Sequence, residues 1–390
     1  MKNFFKVLHR SKKSKARLGE IIVDHGAIKT PAFVPVATKG TIKSLLPNLL
    51  KEIGVQAAFV NTYHLVDHPG VEVIEKGGGI HQYSKLDIPL MSDSGGFQIF
   101  SLAKDKNKRK VNIGGEEESL LLKISDDKVV FRSLFDGRLV EFSPEKSVEY
   151  QAKIGADINM AFDECISYGV DYRYTKKATL RTHHWLERSV KEFNKQQSKR
   201  KNRQFLYGII QGGMFEDLRK KSARFVINQP VAGVAIGGVA VGESKKQMRQ
   251  QVEWVSSFLP KERPVHILGI GHFDDILDLV AYGIDTFDCV EPTRLARMGK
   301  IYIQNSKFKI QKSKILIETV DIQKSVYKDN LEPVDLYCQC FVCKNFTKSY
   351  LYHLFKQREL LGYTLATYHN LYFIEDFFKT IREMIEKSEV

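Results

Sequence analysis

Short apolar runs recur along the chain, and most of them end in Gly, Asn, Asp or Gln. Most are continuous rather than alternating, which is typical of parallel strands buried on both faces. The eight runs cover residues 33–38, 55–63, 88–96, 157–164, 205–213, 233–242, 264–271 and 283–290. Helical patterns fit between most of them, so the order of elements predicts an α/β fold, a (β/α)8 TIM barrel. A doubly wound open sheet is the alternative, disfavoured because no early Gly-rich phosphate turn opens a helix.

The spacing of apolar residues predicts the helices. The predicted helices cover residues 175–195, 215–226, 243–258, 273–282 and, at the end of the chain, 371–386. The N-terminal residues Phe4, Phe5, Val7 and Leu8 favour a first strand over a transit peptide.

Two stretches interrupt the alternation of strands and helices. Residues 101–141 are long and charged, and inside them two apolar segments flank Asp136-Gly137, a β-hairpin turn signal. The second stretch, 292–369, contains a cysteine cluster. We therefore expect a barrel over 1–291 with a hairpin insertion at about 101–141, a zinc-binding subdomain over 292–369 and a terminal barrel helix over 370–390.

The net charge and the placement of the cysteines indicate the kind of partner and the cellular compartment. Lys and Arg number 60 against 46 Asp and Glu, giving a formal charge of +14, which favours a polyanionic partner, nucleic acid first. A Lys-rich protein with solvated faces is the alternative. No apolar run approaches the ~18 residues of a membrane span, and we expect no secretory signal. Three of the five cysteines are crowded together, which is not a disulfide framework and indicates a reducing, cytoplasmic setting.

The cysteines Cys338, Cys340 and Cys343 form a C-x-C-x-x-C motif. Tetrahedral zinc takes four Cys or His ligands, so one more is needed. His353 and His369 are the candidates, and His369 is favoured because we expect it just before the terminal helix, free to turn toward the cluster. A closed set of four predicts a structural Zn²⁺. Three cysteines without a metal are the alternative.

Carboxylates stand at three predicted strand ends, at Asp93, Asp163 and Asp288. The carboxyl ends of barrel strands meet on one face, where TIM-barrel enzymes carry their active sites. The three side chains therefore suggest one shared site. Asp is also common wherever strands turn into loops, so each residue taken singly has a structural explanation.

Several motifs occur together with these carboxylates. They span residues 61–65, 92–98, 161–165, 238–243 and 287–294, in addition to the cysteine cluster. From about residue 19 to the terminal helix, the chain resembles the tRNA-guanine transglycosylases, also called queuine tRNA-ribosyltransferases. The resemblance implies exchange of the wobble-position guanine of tRNA with a GUN anticodon for a 7-deazaguanine, in queuosine biosynthesis.

The resemblance also implies the roles of single residues. Asp288 would be the nucleophile that forms a covalent ribosyl intermediate, and Asp93 the general acid and base. This is double displacement, as in retaining glycosidases, with a base as the second acceptor. Arg294 and Arg297 would read the uridine beside the target base. The residues implied to bind the base are Asp163, Gln211, Gly238, Val239, Phe97, Leu268 and Cys165.

Some positions bear on the choice of base. Phe97 stands where bacterial members usually have Tyr, and Leu268 where many have Met, so a stacking face remains at both. Cys165 and Val241 match the bacterial pattern, which goes with the small base preQ1; queuine is the alternative. Glu243 would orient the peptide whose Val239 carbonyl meets the aminomethyl group of preQ1.

Relatives also suggest how the chain assembles. Phe346, Tyr350 and His353 match an aromatic patch through which bacterial relatives form homodimers; a local packing cluster explains them equally well. A non-catalytic partner subunit would lack the nucleophile, whereas Asp288 and Asp93 are both present. An ordinary barrel glycoside hydrolase would not explain the cysteine cluster or the charge of +14.

Overall fold

The computed structural model describes residues 4–96, 110–113, 116–119, 121–133, 136–200, 202–304, 310–311, 314–315 and 317–390. Its strands are β1 (Phe5–Arg10), β2 (Arg17–Val23), β3 (Gly26–Thr30), β4 (Ala32–Pro35), β5 (Ala58–Val60), β6 (Leu90–Ser92), β7 (Lys110–Ile113), β8 (Glu116–Ser119), β9 (Leu121–Ile124), β10 (Val129–Arg132), β11 (Leu139–Phe142), β12 (Ile158–Met160), β13 (Phe205–Ile210), β14 (Gly233–Ile236), β15 (Val265–Ile267), β16 (Thr286–Cys289), β17 (Lys300–Gln304), β18 (Ile310–Gln311), β19 (Lys314–Ile315) and β20 (Ile317–Asp321). Its helices are α1 (Leu49–Ile53), α2 (Thr62–Asp67), α3 (Val71–Lys76), α4 (Ile80–Ser84), α5 (Pro144–Ile154), α6 (Tyr172–Gln197), α7 (Glu216–Ile227), α8 (Lys245–Ser256), α9 (Phe273–Ala281), α10 (Glu291–Arg297), α11 (Phe341–Asn345), α12 (Lys348–Lys356) and α13 (Leu360–Glu386).

Eight parallel strands form the central sheet, in the order β4-β16-β15-β14-β13-β12-β6-β5. A parallel bridge between Val36 and Phe59 joins the two ends, so the sheet closes into a barrel. Each of the eight predicted apolar runs overlaps one of these strands. The predicted TIM barrel is therefore confirmed, and the open doubly wound sheet is excluded.

Successive side chains along each strand point to opposite faces of the barrel wall, so they contribute to two separate apolar cores. In β13, Tyr207 and Ile209 belong to the core inside the barrel, whereas Leu206 and Ile210 belong to the larger core under the helices. Both cores are buried, which explains why the strands are apolar throughout rather than alternating.

A three-stranded antiparallel sheet, β1-β2-β3, packs over the amino-terminal end of the barrel. Phe4 stacks on Phe205, with ring centroids 3.9 Å apart. Arg17 forms a buried ion pair with Asp285, which immediately precedes β16, at 2.6 Å. The predicted first strand is confirmed, and apolar packing and the buried Arg17–Asp285 ion pair close this end of the barrel.

The predicted hairpin is also present in the insertion. β10 and β11 pair antiparallel with Val129 opposite Phe142, and β9 adds a third strand. The turn between β9 and β10 rests on α6, where Arg181 Nε donates to Asp126 at 2.7 Å. The insertion is therefore attached to the barrel through α6.

The terminal helix differs from its prediction. α13 begins at Leu360 rather than at residue 371, so His369 lies inside the helix and not before it. Gly362, Thr364 and Thr367 are weak helix formers, which concealed the first turns. Burial overrides these preferences, because Thr367 and His369 are fully buried.

Candidate active site

The predicted site residues converge on the carboxyl end of the barrel. Asp93 and Gln211 directly follow β6 and β13, and Leu268 directly follows β15. Asp163 lies three residues beyond β12 and Gly238 two residues beyond β14, while Asp288 lies within β16. Gln211 donates a hydrogen bond to Asp163. Repulsion from Asp288 and Asp163 contributes to raising the pKa of Asp93.

Asp288 is held by one of its two carboxylate oxygens. Oδ1 accepts hydrogen bonds from His266 Nε2 and from the backbone N–H of Gly269, each at 3.1 Å. No donor to Oδ2 is found among the described residues. The side chain is 13% exposed. The carboxylate is thus oriented through one oxygen by fixed donors, and its other oxygen is left for a further contact.

His266 is itself fixed from two sides. It is fully buried, its Nδ1 lies 2.9 Å from Thr286 Oγ1, and its ring stacks on Phe59. Because an ionised carboxylate only accepts hydrogen bonds, we assign the proton to Nε2, with the Thr286 hydroxyl donating to Nδ1.

Asp93 accepts hydrogen bonds from the end of the neighbouring strand β5 and from its own loop. Its Oδ1 accepts from the backbone N–H of Thr62 at 2.7 Å and of Gly95 at 3.1 Å, and its Oδ2 accepts from Asn61 Nδ2. Burial nevertheless raises its pKa to about 7, since the backbone hydrogen bonds only partly offset desolvation and the nearby Asp288 adds repulsion. The carboxyl group can therefore exchange a proton near neutral pH.

Asp163 and Gln211 form a polar pair on the floor of the site. Gln211 Nε2 donates to Asp163 Oδ2 at 2.7 Å, and Ser94 Oγ donates to Oδ1 at 3.3 Å. Burial raises the pKa of Asp163 to about 6. The Oε1 atom of Gln211 is buried and has no hydrogen-bond partner among the described residues. Polar capacity is thus left available in a buried place, as expected for a ligand site.

The glycines after β14 bring the backbone close to this pair. Gly238 has φ of +62°, and a Cβ there would collide with Gln211 Oε1. Arg219, fully buried on α7, donates to the carbonyls of Gly237 and Gly238, each at 2.6 Å, and to that of Gly213 at 2.9 Å. Burial lowers its pKa to about 10. One guanidinium therefore fixes two loops of the site.

The loop after Gly238 is fixed by a carboxylate. Glu243 accepts from the backbone N–H of Ala240 at 2.6 Å and of Val241 at 2.9 Å. Because a trans peptide points its N–H and C=O in opposite directions, the Val239 carbonyl faces away from Glu243. The predicted peptide-orienting contact of Glu243 is present.

Three further residues, Leu268, Cys165 and Phe97, are predicted to contact the base. Leu268 packs against the barrel interior, and Cys165 is half-buried near Arg219. Phe97 lies outside the described residues.

A basic group of side chains borders the site. Arg294, exposed, and Arg297 stand on α10 directly after the strand of Asp288, and Lys39 and Lys43 lie in the loop after the adjacent strand β4. Burial, followed by repulsion from Arg297, Lys39 and Arg294, lowers the pKa of Lys43. We call these four residues the basic rim.

The cysteine cluster lies apart from these residues, between α11 and α13. Cys338, Cys340, Cys343 and His369 are buried, and their ligand atoms lie within 4.8 Å of one another. His369 Nδ1 is 3.2 Å from Cys343 Sγ, while its Nε2 lies 2.7 Å from the Tyr302 carbonyl. That contact places the proton on Nε2 and leaves Nδ1 free for a metal. The cluster could hold a metal ion and is compatible with zinc.

Sequence reasoning missed several of these residues. His266 reads as a core residue of an apolar strand, yet parallel pairing of His266 with Thr286 puts it on the same face as Asp288. Arg219 lies in a helix whose charged residues suggest a solvated surface. Lys39 and Lys43 carry no motif, and only the adjacency of β4 and β16 brings them to the site.

Within the described ranges, no helix has both the length and the apolar character that crossing a bilayer requires.

Comparison with known proteins identifies the family. The family model described as Queuine tRNA-ribosyltransferase matches residues 11–390. The queuine tRNA-ribosyltransferase of Aquifex aeolicus is 42% identical over 381 residues, covering 97% of this chain and 94% of the relative. That of Caldanaerobacter subterraneus subsp. tengcongensis is 39% identical over 386 residues, covering 99% and 94%. The chain therefore belongs to the queuine tRNA-ribosyltransferase family, the tRNA-guanine transglycosylases, which are pentosyltransferase enzymes.

Proposed function

We propose that the protein exchanges guanine at the wobble position of tRNA with a GUN anticodon for preQ1, through a ribosyl group bound covalently to Asp288. Family membership supports the class of reaction. The observation that carries the mechanism is the contrast between two carboxylates: Asp288 has one oxygen fixed by donors, whereas Asp93 has a pKa of about 7.

In the first half of the reaction, Asp288 Oδ2 attacks the ribose C1′ while the bond from C1′ to guanine N9 breaks. Asp93 in its protonated form supplies the proton that the departing guanine takes up. The donors His266 and Gly269 keep Oδ1 in place, so the free oxygen faces the sugar. The cost of orienting the nucleophile is met before the tRNA arrives.

In the second half, N9 of the incoming base attacks C1′ and the bond from C1′ to Asp288 breaks. The incoming base loses one proton, which the Asp93 carboxylate accepts. A group with a pKa near 7 suits both directions, because neither protonation state is costly at neutral pH. Two displacements at one carbon retain its configuration.

Recognition of the base would use the polar pair on the floor of the site. Asp163 would accept from N1–H and the exocyclic amino group of guanine, and Gln211 would donate to its carbonyl oxygen together with the Gly238 N–H. In the apo arrangement these two side chains bond to each other at 2.7 Å. The base would replace that contact with its own, and adenine would leave the same groups unpaired.

The preference for preQ1 is supported by the loop after β14. The Val239 carbonyl faces away from Glu243 and would accept from the aminomethyl group of preQ1. Cys165 and Val241 match the bacterial pattern. Competition between preQ1 and queuine against labelled guanine tests this preference, and tighter competition by queuine would reverse it.

The basic rim supports tRNA as the polymer substrate. Its four cations stand beside the nucleophile strand, and Lys43 is repelled by the other three. Phosphates or base edges next to the target nucleotide would relieve that repulsion. An Arg294→Ala variant should raise the KM for tRNA and leave that for the base unchanged; equal effects on both would argue against this role.

Zn²⁺ fits the cysteine cluster as a structural ion that stabilises residues 292–369 as a subdomain against the barrel and its terminal helix.

A homodimer is supported by the aromatic side chains beside the cysteine cluster. Phe346 and Tyr350 stack with centroids 5.4 Å apart, and Tyr350 is 38% exposed. Light scattering of Tyr350→Ala should show dissociation relative to wild type; an unchanged mass would favour the packing explanation.

Label exchange tests the function as a whole. Purified protein is incubated with unmodified GUN-anticodon tRNA and labelled guanine, next to an Asp288→Ala control. Label entering tRNA only with the wild type supports the proposal. Intact tRNA binding without exchange would favour a non-catalytic partner, and the absence of any tRNA binding would refute the proposed function.

A further inference from the structure

A second cluster of ligating side chains lies at the opposite end of the barrel from Asp288. His25 is in the turn between β2 and β3, His81 is on α4, and Asp157 immediately precedes β12. Asp163 follows the same strand at its other end, so β12 separates the cluster from the base pocket. None of the three residues has a part in the proposed reaction.

The geometry of the three side chains is compact. Asp157 Oδ1 lies 2.7 Å from His25 Nδ1, and its Oδ2 lies 3.2 Å from His81 Nε2. One ligand atom from each residue fits within a span of 4.8 Å. The two imidazole rings stack face to face, with centroids 3.4 Å apart and planes inclined by 9°.

These separations match those between ligands of one ion. Two ligands at ~2.1 Å from a metal are ~3.0 Å apart at a right angle and ~3.4 Å apart at the tetrahedral angle. The observed distances from nitrogen to oxygen, 2.7 and 3.2 Å, lie close to the first of these values. Because an ion lies in the plane of each imidazole ring that binds it, the two parallel rings would turn out of their stack on binding, and each ring proton would move to the other ring nitrogen.

Burial and anchoring distinguish the cluster from a chance grouping at the surface. The Asp157 side chain is 2% exposed, that of His81 9% and that of His25 26%. The backbone N–H of Leu90 also donates to Asp157 Oδ2 at 2.9 Å, which fixes the carboxylate. Burial alone would raise the pKa of Asp157, but hydrogen bonds from His81 and His25 outweigh it and leave the pKa lowered.

The basic side chains of the adjoining cleft are already paired with carboxylates. The lining of the cleft includes Lys153, Arg200 and Arg203, and each has a carboxylate partner. The partners are Glu72 at 3.0 Å, Glu75 at 3.7 Å and Asp24 at 3.0 Å, respectively. Because these cations are already paired, an anion would gain little charge attraction there. The cleft instead gives an ion access and room for water ligands.

We propose that His25, His81 and Asp157 form a second metal site, which takes a borderline divalent cation such as Zn²⁺ or Co²⁺. Two imidazoles and one carboxylate are the donor set that such ions prefer. Its role is structural, because it joins the β2–β3 turn, α4 and the start of β12, which are far apart in sequence. Binding only to the folded state would raise the melting temperature. The proposal does not depend on the base-exchange reaction.

Cobalt titration tests this site separately from the cysteine cluster. The full-length protein is first saturated with one equivalent of Zn²⁺, which the thiolates hold most tightly, and Co²⁺ is then added under anaerobic conditions. We expect one further Co²⁺ per chain, with the weak visible absorption of nitrogen and oxygen ligands and no thiolate charge-transfer band. The melting temperature should rise with the added ion.

The test variant is His25→Gln, a change in a partly exposed turn that the fold should tolerate. It should lose the additional Co²⁺ and the metal-dependent rise in melting temperature. The control is His184→Gln, which removes a surface imidazole 60% exposed and should keep both. A double variant, His25→Gln with His81→Gln, confirms the loss. Wild-type protein that takes up no Co²⁺ beyond the zinc equivalent, or His25→Gln protein that binds it normally, would overturn the proposal.

Discussion

His266 Nε2 lies 3.1 Å from Asp288 Oδ1, and the imidazole is completely buried. The two residues stand on adjacent parallel strands, where His266 pairs with Thr286. Asp288 comes two positions after Thr286, so its side chain is on the same face. The register of one strand pair thus sets the orientation of the proposed nucleophile.

Replacing His266 with Phe should slow formation of the ribosyl intermediate by about 10- to 100-fold, since losing a buried donor to a charged group costs roughly 1–3 kcal/mol. Single-turnover kinetics with tRNA measure this rate. The KM for the base should change little, because His266 contacts the nucleophile and not the base pocket.

His266→Gln is the informative companion, because its amide can still donate to Asp288. It should recover part of the rate, while Phe59→Leu, which alters only the stacking partner, should stay near wild type. If the Phe and Gln variants are equally impaired, His266 acts through packing and not through its hydrogen bond.

Because the pKa of Asp93 is about 7, we expect opposite pH dependences for the two half-reactions. Formation of the intermediate needs the protonated carboxyl, so it should slow as pH rises through about 7. Release by an incoming base needs the carboxylate, so it should slow as pH falls through the same value. Rapid-quench measurements of each half-reaction separate the two. Asp93→Ala should lower both rates and abolish both ionisations; a profile with the same inflection in this variant would assign the proton to another group.

Arg219→Lys should destabilise the protein and weaken base binding. A lysine has three donors on one nitrogen and cannot span the carbonyls of Gly213, Gly237 and Gly238 as the guanidinium does. We expect a loss of about 3 kcal/mol in the free energy of unfolding and a higher KM for guanine at an unchanged KM for tRNA. Denaturant titration and steady-state kinetics measure these quantities.

Arg10→Lys is the matched control for that change, because Arg10 pairs with Glu262 at the surface, where the two side chains are 46% and 78% exposed. Exposed pairs contribute little, so the stability of this variant should be nearly that of wild type. An Arg219→Lys variant with wild-type stability and base affinity would show that the loops are held in place by other contacts.

The metal content of two histidine variants tests the choice of the fourth ligand. His369→Gln should lose the metal ion that we propose for the cysteine cluster and lower the melting temperature, because His369 Nδ1 faces the thiols. His353→Gln should retain the metal. Elemental analysis of both purified variants decides the matter, and the opposite pattern would assign the ligand to His353.

The barrel was predictable because its strands are buried on both faces, and continuous apolar runs record that burial directly. The carboxylates were predictable because strand ends in such a fold converge. The start of α13 was not, since Gly362 and Thr364 argue locally against a helix that burial enforces. The contact between His266 and Asp288 depends on strand register, and a single apolar run carries no information about its neighbour.

The same reasoning explains the outcome at the cysteine cluster. The spacing of the thiols predicted a metal site, and the preference for His369 over His353 agrees with the observed positions. The expected position of His369 before the terminal helix was wrong, because His369 reaches the thiols from within that helix. Arg219 went unnoticed because sequence does not distinguish a buried guanidinium from a solvated one.

In the proposed reaction Asp288 bonds to the ribose. The most direct measurement of this bond is mass spectrometry of protein incubated with unmodified tRNA while released guanine is removed enzymatically, followed by nuclease and protease digestion. We expect a peptide in which Asp288 carries a ribonucleotide fragment, absent from the Asp288→Ala protein. An adduct on another residue, or active base exchange with no adduct under these conditions, would contradict this proposal.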